Sequence, residues 1–406
     1  MSFKQSYQAG FAGALIVTYG VIVFWPGVMT FFGLPLPFGH WFVDLHSVLA
    51  SSDALAAGLD PYRPNPLDIL HATHWYSHWW FWLHDLGLTR ADTSWLGKVL
   101  GAGFLAATIW VVRPGNFLEM LLAWALACSP AVVLGFNRAN SDFLIYIVLA
   151  ALAWALASRH RPLWLLGAPV VALLGGLKFY PLAGGVALVL APRPAAEVRA
   201  SLGFMALLSV LVGLGVYKDL IRIVPLIDEC SGLFIFAGSQ IFVLAGLPVT
   251  VAKIMTLLCG VLMAGLWWRH LPVAPAMAPA HEKTAFGLGA ILILGCFFTG
   301  NSYSYRLVFT LLMLPLLWTW SRQEVAGGIA RLTLGLMLPL AWIDGLVSAM
   351  INAGWTQRLG IATPTAELAG SWLAHAISWV WVSGICGLLL ALYRPAVASL
   401  FARKPF

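Results

Sequence analysis

The sequence predicts an all-α integral membrane protein: one domain, residues 1–406, built as a bundle of about twelve transmembrane helices with a surface helix on its outer face. Three observations carry that expectation. Of the 406 residues, 61% are hydrophobic and only 10% are charged. The apolar residues fall in runs that approach the roughly 20 residues a helix needs to cross a bilayer. Basic residues, in addition, concentrate in alternate loops, the pattern that orients multi-pass proteins.

The first run, Gly10 to Gly33, follows Lys4. It is too long for a signal-peptide core and lacks a small-residue cleavage site, so it reads as a retained first span. Residues 33–94 form an outer loop. Within it Leu45, Val48, Leu49, Leu55, Ala56 and Leu59 recur at helical spacing, predicting a helix along the membrane surface that Gly58 and Pro61 end. Further spans are expected near 95–112, 117–135, 142–157, 163–177, 179–191, 200–217, 251–268, 285–300, 307–320, 327–350 and 372–392. The stretch 163–191 has too many residues for one upright helix and too few for two full ones. Charge arbitrates: with two spans there, 13 basic residues and four acids fall inside, a net of +9, against −2 outside, which together give the chain's +7. With one span the later basic loops would face outward. Both termini are therefore expected in the cytoplasm, in the inner (cell) membrane, and the basic balance calls for no nucleic-acid partner.

This topology puts the polar clusters on the outer face, while the inner loops read as short and chemically plain. No Walker motif, glycine-rich dinucleotide fingerprint or soluble nucleotide-binding domain is legible. Cys128, Cys259, Cys296 and Cys386 lie in apolar segments and only Cys230 in a loop, so no disulfide framework or metal spacing appears.

Lys178, in "LLGGLKFYPLAGG", is the one charged residue between Leu163 and Ala191. A lysine in hydrocarbon costs about 2.5–3.5 kcal/mol by insertion scales, so it needs a partner or a task; a phosphate fits, and a snorkelling lysine is the plainer alternative. Arg306 leads an apolar run after "NSYS", beside Asn301, Tyr303 and Tyr305. With Arg138 of "FNRANSD", these cations form a set suited to a phosphate. Asn137 and Asn140 share that turn, with Asn140 or Ser141 as the alternative helix cap. Tyr180 follows Lys178. Asp44 opens the surface helix, either as a plain N-cap or as a general base at the membrane surface; Asp53, Asp60 and Asp68 share its loop. In "DILHATHWYSHWWFWLHD", His71, His74 and His78 would share one face if helical, with a metal site or water as the readings, and Trp75 or Trp79 suits stacking on a sugar.

The order of first span, Asp44, "AAGLDPY", "NRANSD" and "LKFYP", with "NSYSYRL" further on, resembles the polyprenol-phosphate-mannose-dependent α-mannosyltransferases of glycosyltransferase family 87, in the GT-C class. The resemblance covers about the first half of the chain. It implies Asp44 as the base, and matches Lys178 and Pro181 to the family's lysine and proline. It implies a polyprenyl-phosphate sugar donor and inversion at the anomeric carbon, from a β-linked donor to an α-linked product. The expected function is transfer of a hexose, mannose by resemblance, to a lipid-linked or glycan acceptor at the extracytoplasmic face. Lys178, Arg306 and Arg138 hold the donor phosphate, and Asn137, Asn140, Tyr180, Asn301, Tyr303, Tyr305, His74, His78, Trp75 and Trp79 contact substrate. The chemistry needs no soluble cofactor, and a bridging divalent cation, Mg²⁺ or Mn²⁺, stays open. A lipid-linked sugar flippase or other multispanning transporter is the alternative, with intramembrane charges lining a path instead of a reaction site.

Overall fold

A computed structural model describes residues 3–34, 39–158, 160–224, 232–270, 278–300, 302–324 and 327–401. Among them the protein is all α; the one β-type pairing is an isolated antiparallel bridge between Ile235 and Tyr303. Seven helices are long and apolar enough to cross a membrane: Phe3–Phe24, Arg90–Val111, Ala195–Ile223, Val249–His270, Ala280–Thr299, Gly327–Asn352 and Thr363–Phe401. Phe117–Ala127 and Pro130–Arg138, bent by 47°, make an eighth if the pair is one span. The chain is thus a multi-pass membrane protein. The break in the bent pair is local in origin, since Ser129 caps the second helix and Pro130 occupies its first turn.

The other expected spans coincide with shorter elements. Ser141–Ala157 is one. Arg161–Leu165 and Gly167–Lys178 form a second, and the 3₁₀ helix Tyr180–Leu190 a third. The 3₁₀ helix Ser304–Leu312 runs on into Leu314–Ser321. A 3₁₀ helix rises about 2.0 Å per residue against about 1.5 Å in an α-helix, so the 11 residues of Tyr180–Leu190 reach about 22 Å.

The stretch 163–191 does divide in two, and its arms are antiparallel. A Cβ on Gly175 would meet Leu182 Cδ2 at 2.3 Å, and one on Gly167 would meet Leu188 Cδ2 at 3.3 Å, contacts that require the chain to reverse between them. The reversal falls at Phe179, with φ 61° and ψ −61°, so Lys178 sits at the tip of a helical hairpin. Pro181 lies in the first turn of the following 3₁₀ helix, where its missing N–H costs no intrahelical bond.

Burial sorts the helices. Ala280–Thr299 lies in the middle of the bundle, 61% buried, packed against the second hairpin arm, Ser141–Ala157 and Ser304–Leu312. Val249–His270 is 11% buried and presents nearly all of its apolar surface outward, as a lipid-facing helix does. The expected surface helix is Val43–Ala56, followed by Gly58 at φ +76°. Of its expected apolar face, Val48 and Leu49 are buried against protein, while Leu55, Ala56 and Leu59 stay exposed; the helix packs on Thr93–Val111 and Pro130–Arg138.

Candidate active site

Asp44 is in the first turn of Val43–Ala56, but Phe42, in the left-handed region, is the cap residue, so the N-cap reading of Asp44 fails. Its carboxylate instead binds the turn after Pro130–Arg138. Arg138 Nε donates to Asp44 Oδ1 at 2.8 Å, with Arg138 Nη2 2.6 Å from the same oxygen, and Asn140 Nδ2 donates to Oδ2 at 2.5 Å. The other acids of the loop are occupied elsewhere. Asp53 accepts from the Arg90 amide, Asp60 accepts from the Tyr62 amide in a turn, and buried Asp68 accepts from Ser47 and the Ala72 amide. Of the four, only Asp44 lines the cavity described below.

Lys178 holds a carboxylate. Its ammonium donates to Asp142 Oδ1, in an ion pair, and to Asn140 Oδ1 at 2.9 Å. Asp142 is fully buried, accepts from the Tyr180 hydroxyl at 2.7 Å and has Arg306 Nε 3.6 Å from its second oxygen. Tyr76, Tyr180 and Tyr305 surround the ammonium, with ring centroids 5.3, 6.0 and 5.9 Å from Nζ. Lys178 and Arg306 therefore meet on Asp142, behind Asn140, and Arg138 is the member of the cationic set that faces open space. Asn140 joins the two centres: its amide N–H reaches Asp44 while its oxygen takes Lys178 and caps helix Ser141–Ala157 through the Asp142 amide at 3.0 Å.

Asp44 and Arg138 open on a cavity of about 270 Å³, whose walls include His74, Trp75, Tyr76, Tyr303 and Tyr305. Trp75 is 37% exposed there. Tyr303 and Tyr305 stack at 5.6 Å, held in place because Phe234 and Phe236 pair their backbone with Ser304 and Ser302. Buried His74 places Nε2 3.0 Å from the Ser77 carbonyl oxygen; burial pulls its pKa down to about 4, so it is neutral near pH 7. Burial also pushes the Tyr76 phenol up, which keeps it a protonated donor. On the other side of Asp44 lies an apolar groove of about 230 Å³, walled by Leu83, Leu88, Leu96, Val99, Leu100 and Leu144.

Several expected residues sit elsewhere. Residues 71–77 form no helix, so the three histidines share no face. His78 instead binds Asp219 on helix Ala195–Ile223. Trp79 packs on Gly176, where a Cβ would lie 1.9 Å from its ring, and does not line the polar cavity. Asn137 is buried and shapes the backbone, its carbonyl accepting from the Phe42 amide at 2.7 Å. Asn301 lies outside the described residues. Among those described, no cluster of three or more metal-ligating side chains forms. The ends expected to lie inside are less plain than the sequence suggests, because Lys4, Arg113, Glu119, His281, Glu282 and Arg322 converge on a second polar cavity.

Backbone strain gathers at the same place. Phe42, His71, Ala139, Phe179 and Phe234 are the positive-φ residues other than glycine among those described. Phe42 precedes the helix of Asp44, Ala139 separates Arg138 from Asn140, Phe179 follows Lys178, and Phe234 aligns Ser304. Such conformations cost about 1–3 kcal/mol each and concentrate where surrounding structure fixes a functional geometry. No protein-family profile, no curated protein and no solved structure matches the chain.

Proposed function

We propose that the protein is a GT-C-like membrane glycosyltransferase that moves a hexose, mannose by sequence resemblance, from a polyprenyl-phosphate donor to a lipid-linked or glycan acceptor. In this reading the chain crosses the inner membrane twelve times with both termini cytoplasmic, and Asp44 faces the extracytoplasmic side. The observation that carries the proposal is the position of Asp44, Val48 and Tyr76, which border both the polar cavity and the apolar groove. A polyprenyl-phosphate sugar has the same two halves: the chain suits the groove, and the phosphate and sugar suit the cavity.

In the reaction an acceptor hydroxyl attacks the anomeric carbon as the bond to the phosphate oxygen breaks, and the phosphate leaves with the electron pair. The hydroxyl proton passes to Asp44. Arg138 has N–H groups beyond the two directed at Asp44, and these meet the charge that develops on the departing phosphate. Asp142, Lys178 and Arg306 hold Asn140, and so Asp44, in register. His74, Trp75, Tyr303 and Tyr305 bound the sugar.

The test is transfer of label from radiolabelled polyprenyl-phosphate mannose by protein purified in detergent. Turnover without a membrane gradient supports an enzyme. Binding without transfer, together with movement of the lipid across vesicles, would instead support the flippase reading.

A further inference from the structure

The reaction as drawn leaves one polar constellation unused. Asp219, 6% exposed near the end of helix Ala195–Ile223, accepts three hydrogen bonds. Its Oδ1 takes the Tyr62 hydroxyl at 2.9 Å; its Oδ2 takes the His78 amide at 3.0 Å and His78 Nδ1 at 2.8 Å. The carboxylate fixes the tautomer: Nδ1 donates to it, which leaves Nε2 as the ring's acceptor whenever the imidazole is uncharged. Burial and the Asp219 contact push the Tyr62 phenol up, which keeps it a donor. The histidine is thus fixed at both its backbone and its ring, while its side chain stays 45% exposed.

His78 borders a cavity of about 910 Å³ together with Trp82, Asp60, Asp85 and Arg222. Trp82 is 53% exposed and stacks on Trp79 at 5.6 Å and 10°, so its indole is held flat. A fixed, exposed indole beside closely set donors and acceptors suits the C–H face and the hydroxyls of a sugar ring. Charge argues against a phosphate: the acids Asp60, Asp85 and Asp219 outnumber the cations Lys218 and Arg222 on these walls.

We infer that this cavity is a saccharide subsite for the acceptor, with Trp82 stacked on a pyranose and His78 Nε2 accepting a hydrogen bond from one of its hydroxyls. The acceptor role rests on the glycosyltransferase reading; saccharide binding itself does not. The full chain, purified in a sugar-free zwitterionic detergent, would be titrated with mannotriose while tryptophan fluorescence is followed. In parallel, carbethoxylation of His78 and of exposed His71 would be read by mass spectrometry. The expected result is a saturable fluorescence change and protection of His78 but not His71. Trp82→Ala and His78→Gln should each weaken binding roughly tenfold, the loss of one good contact. Absence of saturable binding to the wild type, equal protection of both histidines, or unchanged affinity in both variants overturns the inference. Saccharide binding with no transfer in the donor assay would remove the glycosyltransferase reading and leave the subsite standing.

Discussion

Asp44 and Asp142 are two carboxylates linked through Asn140 and Lys178, yet their surroundings differ. Asp142 is sealed, with Lys178, Tyr180 and Arg306 around it. The Asp44 side chain is 14% exposed and opens on a cavity. A buried carboxylate between two cations is an anchor, because its charge is neutralised and no substrate reaches it. A carboxylate held on one side and open on the other is a reagent in position. The difference divides the charged cluster into a buried part and an open face, and in the proposed reaction it assigns the donor phosphate to Arg138 instead of Lys178.

The largest expected effect belongs to the open face. Asp44→Asn keeps an oxygen for Arg138 but turns an amide N–H toward the Asn140 amide, and it removes the proton acceptor. Turnover should fall by roughly 10²–10⁴ fold, the range of acid–base catalysis, while binding of a polyprenyl-phosphate sugar survives. A purified variant with near-wild-type turnover would take Asp44 out of the mechanism and erase the contrast with Asp142.

Lys178→Met acts on the buried part. It leaves Asp142 buried with the Tyr180 hydroxyl and one long contact to Arg306, and removing one partner of a buried pair costs about 3–5 kcal/mol. The expected result is a clear fall in thermal stability in detergent, with loss of donor binding only as the site loosens. If the variant unfolds at the wild-type temperature yet fails to bind donor, Lys178 reaches the phosphate itself and the division between the two carboxylates is wrong.

How much of this was legible in the sequence follows from which physical signal each feature leaves. Long helices such as Val249–His270 write their apolar surface directly into hydropathy, and the charge asymmetry favoured a division of 163–191, where the chain does reverse. The elements around the site write less. Tyr180–Leu190 and Ser304–Leu312 are 3₁₀ helices, which leave no 3.6-residue period to read. The turns that aim the side chains use Phe42, Ala139 and Phe179 at positive φ, where a sequence reading looks for glycine. Asp142 was visible in "NRANSD", but pairing it with a lysine 36 positions away requires the hairpin to be folded. Asp219, on an otherwise apolar run, carried the same warning as Lys178 and was missed beside its neighbours Lys218 and Arg222.

Histidine 74 sharpens the comparison from the side of pH. Its pKa is about 4 when folded against 6.5 in the unfolded chain, so between these values the unfolded state binds more protons. Its contribution to stability is complete above about pH 6.5 and is lost as pH falls toward 4, by up to about 3 kcal/mol. His74→Gln should be less stable than wild type at pH 8, and the gap in unfolding temperature should narrow toward pH 4. A gap that stays constant would mean that the ring is wet, and that the wall of the Asp44 cavity is open there.

Two tryptophans four positions apart divide in the same way. Trp75 is exposed at the cavity and its indole N–H bonds only the neighbouring Thr73 hydroxyl, at 2.6 Å, so little of the fold depends on it. Trp75→Ala should leave the unfolding temperature unchanged and raise KM for the donor about tenfold, the loss expected of one ring contact. Trp79 has the opposite duty. Its ring covers Gly176 in the hairpin arm that carries Lys178, so Trp79→Ala opens a hole beside the buried part and should cost about 3–5 kcal/mol before any effect on binding is seen. If Trp75→Ala destabilises the fold and leaves KM alone, the polar cavity is a packing defect rather than a sugar site. The reading of Asp44 as its reagent would then lose the wall it works against.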